Sequence, residues 1–298
     1  MARVLMITNP AAARTRPSVV ARISGALRTQ GWVVDVAETT SPGEAAELAS
    51  GTADVDVIAV YGGDGTTMQV VRGMIGKEIP LGLIPGGTGN LLAGNLRLPR
   101  SPEKAARLIT TGQARRIDLG VIERPEGTRY FAVASGTGYD AELMAQTAAV
   151  EKRKWGFGAY IAKAAATLSN VETVAHRITV DGVVSEAEGT TLLVANCGEF
   201  IPRVLRLRRG IRLDDGKLDV VVLRANGLFE AAGVVFQLLT GSAEHSPRVR
   251  YLRGRSITVE TDGPRPVQMD GEEAGVTPFT ANVMPGALKI LVPSNRSY

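Results

Sequence analysis

Gly62-Gly63-Asp64-Gly65-Thr66 brings together the two things that phosphate chemistry requires. The glycines let backbone N–H groups approach an anion closely, and a helix starting just after them would add the positive end of its dipole. Asp64 puts a carboxylate where phosphates would lie. Two anions in one pocket repel unless a cation lies between them, so the string asks for a divalent metal, Mg²⁺ carried in with a nucleotide. Taken alone, Gly-Gly-Asp-Gly is weak evidence, since such a string also forms ordinary turns. A second glycine-rich string, Pro85-Gly86-Gly87-Thr88-Gly89-Asn90, makes the phosphate reading the stronger one.

The flanking sequence predicts how these loops are held. Val57, Ile58, Val60 and Tyr61 read as a buried strand that stops at Gly62, and Thr66 or Thr67 caps a helix with Met68, Val71, Met74 and Ile75 at helical spacing. Residues 81–84 form a short strand before the second loop. Earlier, residues 3–8 read as a first strand that Asn9-Pro10 ends, since proline cannot continue a ladder. Val19, Val20, Ile23 and Leu27 give a helix face closed by Gly31, and residues 33–36 a second strand. Ser41, Pro42 and Glu44 carry a capping-box signature, which places Thr39 and Thr40 at another strand-to-helix junction. Ser101-Pro102-Glu103 opens a further helix that Gly112 closes. The β-α alternation to about residue 115 predicts a Rossmann-like, doubly wound α/β domain, in which loops after parallel strands meet at one edge.

Beyond residue 115 the rhythm changes. Segments 116–122 and 130–135 are strand-like, and Gly136-x-Gly138-x-Asp140 leads into helical sequence to about residue 168, basic at 152–154 and apolar at Trp155, Phe157, Tyr160 and Ile161. Strands are expected at 178–180, 190–195, 218–223, 256–260, 266–269 and 280–283. Asp-Gly pairs at 181, 215, 262 and 270 mark turns between them, and a helix is expected over 228–239. The expected domains are therefore 1–115 and a mostly antiparallel β-sandwich over 116–286, with 287–298 returning to the first.

The composition narrows the function classes. With 44% hydrophobic and 21% charged residues, the 298-residue chain has ample core for two domains. Cys197 is the single cysteine, so no intrachain disulfide forms, and its apolar setting reads as a buried, inert thiol. No apolar stretch approaches a membrane span and the N-terminus runs straight into a strand, so a cytoplasmic protein is expected. Net charge is +4, with arginines clustered at 203–212 and 248–255. Such clusters suit an anionic membrane surface, a phosphate substrate or a solvated face. Nucleic acid is disfavoured, because aromatics are only 5% and do not interleave with the basic stretches. His176 and His245 have neither metal spacing nor a partnered serine.

With Gly62 to Thr66, Pro85 to Asn90, Asn9-Pro10, Gly136-x-Gly-x-Asp140, Leu213-Asp-Asp-Gly216 and Asp270-Gly-Glu272, the chain resembles the bacterial lipid kinases of the diacylglycerol kinase catalytic-domain family. These are relatives of sphingosine and ceramide kinases and, more distantly, of NAD kinases. The resemblance covers essentially the whole chain and implies an ATP- and Mg²⁺-dependent phosphotransferase with its active site between the two domains. It implies that Asn9, Thr40, Gly62, Gly63, Asp64, Gly65, Thr66, Thr67, Gly87, Thr88 and Asn90 serve the nucleotide. It implies Mg²⁺ on Asp64, a second Mg²⁺ site at Asp215 with the backbone carbonyls of Arg212 and Lys217, and Glu272 as the general base. The implied partner is a lipid alcohol at the membrane surface, approached peripherally, with a homodimer left open. Ala13 stands where the family often has glycine, and Gln69 where it usually has glutamate. The rival readings are an NAD kinase and a non-catalytic nucleotide sensor on the same fold.

Overall fold

A computed structural model describes residues 1–138, 166, 172–201 and 205–294. Apart from residue 166, the expected helix up to residue 168, including Asp140, lies outside the described residues, as does Arg203. The chain divides into two compact units, Met1–Ile117 with Gly286–Tyr298, and Asp118–Pro285.

The first unit is built on a parallel sheet. Strands β1 (Arg3–Thr8), β2 (Val33–Glu38), β3 (Val57–Gly62) and β4 (Leu81–Pro85) run in the order β2-β1-β3-β4. The C-terminal part of β18 (Phe279–Val292) adds a fifth strand, with Ile290 opposite Leu81 in parallel register. The sequence splits β18 in two at Pro285-Gly286; the strand runs through both positions, with Gly286 in the left-handed region at φ 58°. Between the strands lie α1 (Pro17–Arg28), α2 (Glu44–Gly51) and α3 (Asp64–Gly73); α4 (Leu91–Asn95), α5 (Pro102–Ala106) and α6 (Leu108–Thr111) follow β4. All of β3 is buried, as expected of a parallel strand covered on both faces. The core of this unit joins Met6, Ile23, Ala59, Tyr61, Ile109 and Leu291, so the end of the chain belongs to its interior.

Strand order reverses around β1, which pairs with β2 on one side and β3 on the other. The loops leaving β1 and β3 therefore flank the switch point of the sheet, where open α/β sheets hold ligands at the carboxyl ends of their strands.

Two helix starts differ from expectation. Helix α3 begins at Asp64 with Gly63 as its N-cap, so Thr66 and Thr67 lie in the first turn rather than capping it. Helix α2 begins at Glu44 after Gly43, whose φ of 91° only glycine adopts readily. The Glu44 carboxylate does reach back, accepting from Thr40 N at 2.6 Å and Ser41 N at 3.1 Å. Half of the capping box forms, and the helix starts later because Ser41 and Pro42 are spent on the turn.

The second unit is an antiparallel sandwich. Its six-stranded sheet has the order β14 (Val249–Gly254), β13 (Leu218–Leu223), β10 (Thr191–Ala195), β7 (Ala134–Thr137), β16 (Pro266–Met269) and β17 (Glu272–Val276). Opposite it run the N-terminal part of β18, β15 (Ser256–Thr261), β8 (Val174–Val180) and β9 (Val183–Gly189). Strand β5 (Gln113–Arg124) pairs with β6 (Gly127–Phe131), and the short β11 (Glu199–Ile201) pairs with β12 (Leu205–Arg206). The core between the layers takes Leu192, Val194 and Val220 from one sheet and Ile178, Ile257 and Phe279 from the other. Helix α7 (Leu228–Thr240) joins β13 to β14. Type I′ geometry at Asp181-Gly182 and Asp270-Gly271, with positive φ at both central residues, turns the β8–β9 and β16–β17 hairpins.

Candidate active site

Within the first unit, the two glycine loops come together backbone to backbone. Gly86 N donates to Gly62 O at 2.8 Å, and a Cβ on Gly87 would lie 2.6 Å from Gly63 Cα. A Cβ on Gly86 would meet Thr15 Oγ1, Tyr61 and Gly62 N at 2.9–3.1 Å. Glycine is needed at 86 and 87 because the first loop and Tyr61 occupy the space a side chain there would fill, whereas a Cβ on Gly63 would meet Gly87 Cα at an ordinary 3.5 Å.

Asp64 binds the loops into one body. Its Oδ2 accepts from Asn90 N at 2.7 Å and its Oδ1 from Leu91 N at 2.6 Å, so the first residue of α3 caps α4 across the site. Asn90 sits in the left-handed region at φ 50° and closes its own loop, with Oδ1 accepting from Gly87 N at 2.9 Å and Nδ2 donating to Gly87 O at 2.8 Å. Burial pushes the Asp64 carboxyl up from the ordinary aspartate range, and the two N–H donors at Leu91 and Asn90 pull against that.

Asn9 and Thr40 attach to the same body. Asn9 Nδ2 donates to Thr66 Oγ1 at 3.0 Å while its Oδ1 accepts from Ala11 N at 2.9 Å, tying the loop after β1 to the first turn of α3. The Thr40 turn is linked through Gly43, whose N–H donates to Gln69 Oε1 at 3.2 Å. The neutral residue at the position where the resemblance expects glutamate thus acts as an acceptor, a part that either residue can play. Gly65 and Thr88 are exposed and Thr67 is partly exposed, so these loop positions face solvent.

The sequence-predicted residues of the second unit fall into two groups. Glu272 opens β17 with 42% of its side chain exposed and lies 3.8 Å from Arg129, whose other arm donates to Glu273 O at 2.6 Å. Asp270 of the same turn accepts through its carboxylate from the N–H groups of Ala132, Val133 and Ala134 at 2.7–2.9 Å. It pins the β6–β7 corner to the hairpin that presents Glu272. Asp215 forms the second group, its carboxylate paired with Arg253 and accepting from Lys217 N at 3.1 Å. Arg253 also reaches Asp219 at 3.4 Å, and Gly216 N donates to the buried Asp118 carboxylate at 2.6 Å. The Arg212 guanidinium is held by Asp214 at 3.0 Å. Burial raises Asp215 and pushes Asp219 up to about 6, with Arg253 opposing both.

Asp118 and Asp219 are missed by sequence reasoning because each sits inside a strand-like run, and Arg253 is read only as one of the clustered arginines at 248–255. The signal that could reveal them is a charged residue at an otherwise apolar strand position, as at Asp219 in Leu-Asp-Val-Val-Val. Gly136 and Gly138 have a packing reason: side chains there would run into the Leu192 and Thr190 carbonyls of the neighbouring strand. Cys197 is fully enclosed, burial holds its thiol well above the usual range, and it behaves as the inert thiol expected.

The glycine cradle fits a polyphosphate. Among the described residues no three His, Cys, Asp or Glu side chains gather at one point, so a metal here would draw on one carboxylate, phosphate oxygens and water, the pattern Mg²⁺ favours.

Residues 3–122 match the diacylglycerol kinase catalytic domain, and residues 133–292 match the YegS C-terminal NAD kinase beta sandwich-like domain. The chain belongs to the bacterial lipid kinases of the diacylglycerol kinase catalytic-domain family. It is 28% identical over 253 residues to a diacylglycerol kinase of Mycobacterium tuberculosis, covering 84% of this chain and 80% of that one. An uncharacterised Synechocystis protein is 28% identical over 85% of this chain, which spans 58% of that protein's length. The structure of a candidate diacylglycerol kinase from Bacillus anthracis superposes with a TM-score of 0.79 at 28% identity, covering 97% of each chain. Membership of this family accounts for the α/β unit followed by a sandwich.

Proposed function

We propose that this family member is an ATP- and Mg²⁺-dependent lipid kinase that transfers the γ-phosphate to the free hydroxyl of diacylglycerol or a similar lipid alcohol. The observation that carries the proposal is the fusion of the two glycine loops, Gly63 against Gly87 with Asp64 spanning them, in a member of a lipid kinase family. Phosphoryl transfer is mostly positioning and neutralisation of charge, and this body supplies a rigid, glycine-lined seat for phosphates. Mg²⁺, when bound beside Asp64, would neutralise charge on the phosphates. Asn9 and Thr66 tie the loop after β1 to the first turn of α3, and Asn90 closes its own loop on Gly87.

In the reaction the lipid hydroxyl oxygen bonds to the γ-phosphorus as the bond to the β–γ bridging oxygen breaks, and ADP leaves with that electron pair. The hydroxyl proton passes to the Glu272 carboxylate, which the Asp270 clamp holds at the tip of its hairpin. Asp64 belongs to the first unit and Glu272 to the second, so the working protein needs both. The protein acts at the cytoplasmic face of a membrane, where its substrate resides; among the described residues no helix is long and apolar enough to cross it. Asp64→Ala and Glu272→Ala should each abolish labelling of diacylglycerol by γ-labelled ATP in mixed micelles. Undiminished turnover in either variant sinks the assignment, and NADP formation from NAD would replace it with the NAD kinase reading.

A further inference from the structure

Helix α7 hides one face and leaves an apolar one in water. Ala231, Val234, Val235 and Leu238 are buried, while Phe229 is 94% exposed and Phe236 61% exposed. Residues 229, 232, 233 and 236 share one stripe by helical periodicity, and Ala232 and Gly233 are too small to shield the rings on either side. Leu228, 52% exposed, extends the patch at the start of the helix. Of the four phenylalanines whose side chains are described, Phe131 and Phe279 lie in the core and these two stand outside it. A concentration of apolar rings on one helix marks an interaction surface rather than scattered surface apolarity.

Cations flank the stripe. Arg224 and Arg248 lie side by side at the helix start through the Arg224 N to Arg248 O bond, their guanidinium groups ion-paired at the surface with Glu188 at 3.7 Å and with Glu230 of the first turn at 3.2 Å. Arg209 lies beside Gly241, the C-cap. Residues 205–255 hold nine arginines and Lys217 against five acidic residues, an excess that alone exceeds the whole chain's net +4. Apolar rings between arginines match an anionic bilayer surface, where rings enter the headgroup boundary and guanidinium groups meet lipid phosphates. A second copy of the chain fits less well. Two phenylalanines bring about 300–500 Å², well short of the roughly 800 Å² per partner that a stable protein interface buries.

We propose that the outward stripe of α7, Phe229 and Phe236 with arginines at both ends, docks this protein on an anionic bilayer. The inference deepens the lipid kinase reading, which requires substrate to be taken from a membrane, and the test separates the two. Full-length protein is sedimented with phosphatidylcholine vesicles with and without phosphatidylglycerol, beside a Phe229→Ser, Phe236→Ser double variant whose unchanged melting temperature shows an intact fold. Wild type should pellet with the anionic vesicles, less so as salt rises, and the variant's partition should fall at least about tenfold. Both should phosphorylate water-dispersed short-chain diacylglycerol equally. Equal pelleting of the two proteins, no pelleting of wild type, or a dimer in sedimentation velocity that the variant loses would each overturn the docking proposal. Phenylalanine-dependent pelleting without any lipid phosphorylation would uphold docking and overturn the kinase reading.

Discussion

Asp64 is where reading the residues alone and seeing their partners diverge most. The sequence offers a carboxylate among glycines and suggests a metal; the fold adds two backbone N–H donors, from Asn90 and Leu91, that no local pattern announces. Donors that lie 26 and 27 positions away become neighbours only when β3 and β4 pair, so the side-chain chemistry is legible and its second duty is not. The same holds for Asp270, which reads as a hairpin signal and also clamps three N–H groups. Asp219 gives a prediction at this scale. Its folded pKa of about 6 lies above the roughly 3.9 of an unfolded aspartate. The stability it contributes is therefore fully present below about pH 4 and is lost as pH rises through about 6. Across that window the melting temperature of Asp219→Asn should climb relative to wild type, whereas parallel melting curves would show that burial does not disfavour the ionised form.

The elements are largely visible in the sequence because their signals are local. The strand at 57–62, the hairpins at Asp181-Gly182 and Asp270-Gly271, and the helix from Leu228 stand where periodicity and turn residues put them. Misplaced starts at α2 and α3 come from side chains whose hydrogen bonds go elsewhere: Glu44 to the Thr40 turn, and Thr66 to Asn9. The contact between the two glycine loops supplies the prediction. Gly87→Ala puts a methyl 2.6 Å from Gly63 Cα, a backbone atom that cannot turn aside. It should cost about 1–3 kcal/mol in urea unfolding and weaken ATP binding at least tenfold. Gly25, in α1 with nothing within 4 Å of an added Cβ, is the control. Gly25→Ala should stabilise by about 0.5–1 kcal/mol with ATP binding unchanged. Equal ATP affinity in the Gly87 and Gly25 variants would mean that the loops can separate without consequence.

At the scale of the whole molecule, the chain's end completes its beginning. Leu288, Ile290, Leu291 and Val292 are buried in the first unit, where the last strand lies beside β4. Sequence shows the strand but not its partner, since register between Leu81 and Ile290 leaves no local trace. Truncation after Pro285 should expose the core of the first unit, seen as rapid proteolysis within residues 1–117 and loss of ATP binding; a protease-resistant truncated protein would show that the strand is dispensable. The central claim concerns the activity itself. Purified full-length protein is incubated with γ-labelled ATP, Mg²⁺ and diacylglycerol in mixed micelles, and the lipid phase is counted beside Glu272→Gln. Wild type should label the lipid and the variant should do so about 10²-fold to 10⁴-fold more slowly. Lipid that stays unlabelled with wild type, or is labelled equally by the variant, would refute a lipid kinase that uses Glu272 as its base.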